Sequence, residues 1–104
     1  MTTQNRRLLI ALDAKIREVN RKTINAVLPK LRLSDLTPML EMVAQARTNY
    51  LQAFYEIGRS SQDGNIPGPD DIKRLADLRL AYQELVSASQ ALETAIERDY
   101  LDVD

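Results

Sequence analysis

Glu93 and Glu97 stand one helical turn apart, and a carboxylate pair at that spacing is the smallest unit from which acid–base work or metal ligation is built. Nothing paired in the sequence answers them. The chain has no histidine, which removes the commonest general base, the catalytic triads, the Glu-x-x-His pattern of di-metal bundles and most zinc sites. It has no cysteine, which removes disulfides, thiolate nucleophiles and thiolate metal ligands. Glu93 and Glu97 therefore read as a solvated helix face. Asp63-Gly64-Asn65 begins like a calcium loop, but its glycine is misplaced and no glutamate closes the loop. The stretch from Gly58 to Gly64 is bounded by glycines like a phosphate loop, yet it lacks the Gly-Lys-Ser/Thr core.

Arginine is the remaining chemistry. A small helical protein can hold a dianionic metabolite among arginines and lysines and act by electrostatic stabilisation alone. Arg6, Arg7, Arg17 and Arg21 supply such cations on the first helix, but helical spacing turns most of them away from the apolar stripe where a pocket would lie. An arginine-based enzyme is the weaker alternative. The expectation is a non-enzymatic protein with no catalytic residue, no cofactor and no metal.

Contact chemistry is better represented. Ile10, Arg17, Arg21, Ile24 and Leu28 share one line of the first helix, roughly opposite its main apolar stripe. Arginine interleaved with aliphatics is an interface pattern, because the guanidinium pairs with carboxylates while its stem covers apolar neighbours. Gln45, Asn49 and Gln52 form a polar, locally uncharged face on the second helix, as the centre of an interface does. These eight residues are the expected partner-binding set, for a second copy of the chain (a homodimer) or for another helical protein.

Nucleic acid is the rival partner. Residues 1–32 hold eight Lys/Arg and two Asp/Glu, residues 33–68 two and four, and residues 69–104 four and nine, so the thirds carry +6, −2 and −5. The basic first helix spreads its charge over more than half its circumference, and the first aromatic is Tyr50, so the basic segment offers no base-stacking residue. Attraction between a basic first helix and an acidic last one is the simpler account of the asymmetry and the favoured one. The alternative kept open is a nucleic-acid-associated regulator using the first helix.

Positioning these residues falls to helices. Leu75, Leu78, Tyr82, Leu85, Ser89, Leu92, Ile96, Asp99 and Val103 alternate spacings of three and four, the rhythm of a long coiled-coil-like helix, and Ala81, Ala88 and Ala95 form a second, small-residue register beside it. On the first helix Leu8, Leu9, Leu12, Ile16, Val19, Thr23, Ala26 and Val27 fall within about 100° of arc, the width of a core stripe. On the second, Met39, Leu40, Val43, Ala46, Tyr50, Ala53, Phe54 and Ile57 fill a wider arc. Pro29 stops the first helix, Thr37-Pro38 starts the second with Ser34 as a competing cap, and Ser60 to Gly68 is turn chemistry.

The spacing thus predicts an all-α protein of one domain over 1–104, with helices at about 3–28, 38–59 and 69–100. They form an antiparallel three-helix bundle whose long C-terminal helix is covered by its neighbours or by dimerisation. Composition is globular, with 44% apolar and 28% charged residues. No apolar run approaches the roughly 18 residues needed to cross a bilayer, so no membrane partner is expected. The lack of cysteine and of a secretory leader pattern points to the cytoplasm.

Overall fold

The structure, a computed structural model, describes residues 2–104. It is all-α: α1 spans Thr3–Asn25, α2 spans Leu33–Ser60 and α3 spans Pro69–Glu97. No helix among the described residues is long and apolar enough to cross a membrane. The chain divides into two compact units, Met1–Asp35 with Ala91–Asp104, and Leu36–Gln90.

In the first unit, Thr2 caps α1 by accepting the Asn5 N–H at 3.1 Å, and the helix ends at Asn25 before Pro29. The far partner is the end of the chain. α3 closes in a Schellman turn: the Tyr100 N–H donates to the Ala95 carbonyl at 2.8 Å and the Asp99 N–H to that of Ile96 at 3.1 Å. Asp99 takes the left-handed conformation this turn requires, with φ 60°. The turn sends Leu101 into the interior, 2% exposed, beside the buried Leu31 and Ala95 of the same unit. The tail is tied down at backbone level as well. Leu31 and Val103 form a parallel bridge, in which the Leu31 N–H donates to the Asp102 carbonyl at 3.0 Å and the Asp104 N–H to the Leu31 carbonyl at 2.7 Å. Lys30 and Arg32 reach the Asp104 carboxylate at 3.4 and 3.0 Å.

In the second unit, α2 from Leu36 and α3 to Gln90 make a helical hairpin. Its direction follows from cross-helix partners: Glu56 meets Arg74 at 3.2 Å, while Arg47, further back on α2, meets the Tyr82 hydroxyl, further on in α3, at 3.1 Å. The helices therefore run antiparallel. Ala53 and Ile57 are buried, and the Tyr50 and Tyr82 rings stack with centroids 6.5 Å apart. The α3 seam residues Leu75, Leu78, Tyr82, Leu85 and Ser89 are half-buried. Gly64 turns the connection with φ +81°, a value that disfavours any side chain. Pro69 then opens α3, with Asp70 and Asp71 at the positive end of its dipole.

Three expectations are corrected here. α2 starts at Leu33 rather than Pro38, which lies inside the helix. The Arg32 N–H is taken by the Asp35 carboxylate at 2.9 Å, so the start is capped from within, one turn before the proline. α1 buries no residue at all: its apolar stripe is left open to water. Of the small-residue register on α3, Ala95 is buried while Ala81 and Ala88 are exposed, so close helix approach is confined to one end of that line.

Candidate functional site

The stripe on α1 is the largest feature the first unit does not explain. Leu8 is 68% exposed, Leu9 and Leu12 50%, Ile16 40% and Val19 51%. Helical spacing puts all five on one side of a 23-residue helix. Single exposed aliphatics are ordinary, but a continuous row of this length marks a surface made to be covered. Among the described residues Arg6, Arg7 and Lys22 of the same helix have no ion-pair partner, whereas Lys15 pairs with Glu18 at 3.4 Å and Arg17 with Asp13 at 3.7 Å. Helical spacing places these cations to the sides of the stripe or behind it, not within it.

The opposite line of α1 meets the chain's own tail. The Arg21 guanidinium donates through Nη1 to the Asp99 carbonyl at 2.7 Å and to Asp99 Oδ1 at 3.1 Å, and through Nη2 to Asp102 Oδ1 at 2.6 Å. Charge-assisted bonds to two carboxylates and a carbonyl hold the left-handed turn in place. Ile24 is half-buried on this side, Leu28 is 39% exposed and Ile10, nearer the helix start, is 70% exposed. Arg17 lines a small cleft with Asp13, Glu97, Arg98 and Tyr100. Two cations there face two carboxylates, so the cleft is charge-balanced and sets no strong field for an anion.

We expect Arg21→Ala to cost about 1–3 kcal/mol, the range for hydrogen bonds to charged groups, at the lower end because the side chain is 38% exposed. Urea unfolding measures it, and Arg21→Lys should recover only part, since an ammonium cannot span both acceptors in one plane. An unchanged midpoint in Arg21→Ala would show that the tail holds without the clamp.

On α2 the polar face bonds along its own helix. Gln45 donates to Asn49 Oδ1 at 2.8 Å and Gln52 to Glu56 Oε1 at 3.3 Å, all on the exposed surface. These three residues belong to the second unit, whereas Ile10, Arg17, Arg21, Ile24 and Leu28 belong to the first. α2 also shows an apolar line that the polar-face reading passes over: Leu40 is 55% exposed, Leu51 57% and Phe54 66%. They fall within about 60° of arc. Among the described residues no group of three or more acidic side chains is placed to hold a metal ion.

Compared with models of known families, with characterised proteins and with solved structures, the chain matches none, so its functional reading rests on these residues alone.

Proposed function

We propose that the protein is a non-enzymatic helical module that works by protein–protein contact, with the open stripe of α1 as its contact surface. The observation that carries this reading is the row Leu8, Leu9, Leu12, Ile16 and Val19, each 40–68% exposed on a helix that buries nothing. Covering one such side chain contributes on the order of 1 kcal/mol or more, so a partner that covers five has a substantial driving force. A cytoplasmic setting goes with this reading, since a cysteine-free chain makes no use of an oxidising compartment.

Leu12→Glu tests it. Leu12 is half-exposed, so the charge is hydrated and the fold stays intact by circular dichroism, while partner capture from native lysate drops sharply. Capture that is unaffected by the substitution would remove the stripe from the contact.

Arg6, Arg7 and Lys22, without ion pairs among the described residues, favour one second reading, association with a nucleic acid. Nuclease treatment and a salt series separate the two: apolar contact survives both, while phosphate contact is lost steeply with salt.

A further inference from the structure

We propose that Asp63–Gly64, in the turn between α2 and α3, is a site of spontaneous covalent modification, where the backbone rearranges to isoaspartate through a cyclic imide. The residues involved all belong to the hairpin unit, and the site is independent of the contact surface on α1.

The step needs only the chain's own atoms and water. The Gly64 amide nitrogen attacks the side-chain carboxyl carbon of Asp63 in its neutral acid form. A C–N bond forms, the amide proton and the carboxyl hydroxyl leave as water, and a five-membered succinimide closes. Water then adds to either ring carbonyl. Opening at the side-chain carbon restores aspartate. Opening at the former backbone carbon leaves the chain running through Cβ and Cγ, with a free α-carboxylate beside it. No atom is gained or lost overall, and nothing is oxidised or reduced.

Three features of the turn favour it. The attacked carboxyl has an unhindered neighbour: Asp63 is the one aspartate in the sequence followed by glycine, and no atom beyond the chain neighbours lies within 4 Å of where a Gly64 Cβ would stand. The carboxyl is free to swing onto the backbone, because Asp63 is exposed and its side chain has no hydrogen bond or ion pair among the described residues. The amide is lightly held. Gly64, at φ +81°, donates its N–H to the Ser61 carbonyl at 3.1 Å, a lone exposed turn bond that local opening breaks readily.

The other aspartates lack these features. Asp13, Asp35, Asp70, Asp71 and Asp77 lie within helices, whose backbone geometry fixes the next amide away from the side chain. After Asp99 comes the Tyr100 amide, committed to the Ala95 carbonyl at 2.8 Å. After Asp102 comes Val103, whose branched Cβ crowds the attack. Asn65 could close the same imide with loss of ammonia, but β-branched Ile66 follows it, so it serves as an internal control in the same turn. Conversion at Asp63 adds one carbon to the path between α2 and α3 and moves a carboxylate onto the backbone.

The full chain is kept folded, as followed by circular dichroism, at physiological temperature and mildly acidic pH, and sampled over weeks. Isoaspartate is read by transfer of a labelled methyl group from S-adenosylmethionine, with an isoaspartyl carboxyl methyltransferase as the probe. Electron-transfer fragmentation of the tryptic peptide 60–73, which holds Asp63, Asn65, Asp70 and Asp71 together, locates it. The expected result is methyl uptake that rises with age, maps to Asp63 at several-fold the level of the other three positions, and is lost in Asp63→Glu, which keeps the charge but would have to close a larger ring. Conversion seen in the urea-unfolded chain but not in the folded one overturns the proposal, since the turn would then protect the bond. Uptake undiminished in Asp63→Glu, or mapping to Asn65 instead, overturns it as well.

Discussion

Leu101→Ala should destabilise the protein by about 2–5 kcal/mol, the cost of emptying a leucine-sized site in a packed interior. Among the described residues Leu101 is the largest fully buried side chain, at 2% exposure, and it sits where the end of α3 turns back. Its neighbours in the same unit are held by short-range geometry: the Schellman turn at Ala95 and Ile96, the bridge to Leu31 and the Arg21 clamp. The Arg21 clamp is surface-exposed and modest, so it cannot substitute for the lost core. A domain of this size has only about 5–15 kcal/mol of stability in total, so the variant loses a large share of it. Urea unfolding gives the magnitude. Hydrogen exchange gives the place, with protection lost first at Leu31 and Asp104, whose amides donate across the bridge, and at Tyr100, whose amide closes the turn. A loss below about 1 kcal/mol would mean that Leu101 fills no packed site.

Ile57→Ala should cost a similar amount, about 2–5 kcal/mol, through a different part of the chain. Ile57 is 7% exposed in the hairpin of α2 and α3, one turn beyond Ala53, which is fully sealed from solvent. The two residues together are the whole buried set of α2. The hairpin otherwise relies on half-buried leucines and on the Tyr50–Tyr82 stack, so there is little slack to absorb a cavity. Exchange protection should fall along α2 and α3 from Ala53 to Leu78. Protection unchanged there, with stability intact, would show that the seam is held by its tyrosines.

Helix content was readable because apolar spacing is a local property. The rhythm from Leu75 to Ile96 needs no partner to be recognised, and α3 ends within a few residues of expectation. The start of α2 was misplaced for a local reason as well: Thr37-Pro38 is a strong opening signal, but Asp35 at the third helical position satisfies the Arg32 amide first. What periodicity does not carry is the identity of the covering surface. The stripe on α1 was recognised as apolar, yet whether it lies against this chain or against something else depends on contacts far away in sequence. The tail shows the same limit with a usable clue. Asp99 and Val103 continue the helical spacing, yet α3 stops at Glu97, with Asp99 in the left-handed turn and Val103 on the bridge; Leu101 and Val103 also alternate with Asp102 and Asp104, the two-residue rhythm of extended chain. Leu31 and Leu33 alternate likewise about Arg32. Reading those two short runs against each other would have found the Leu31–Val103 bridge. Arg21 belongs to the same lesson: on a helix wheel it is an interface arginine, and the acceptors that claim it lie 78 and 81 residues on.

That separation bears on how the protein is made. At a ribosomal rate of about 5–20 residues per second, the acceptors for Arg21 emerge some 4–16 seconds after the helix that needs them. During that interval α1 is a basic amphipathic segment on a nascent chain, with no tail to hold it, while the hairpin that follows closes through much nearer neighbours. Of these three helices the first to be synthesised is then the last to be secured, and until the tail arrives it shows water the same leucines that the folded chain leaves exposed.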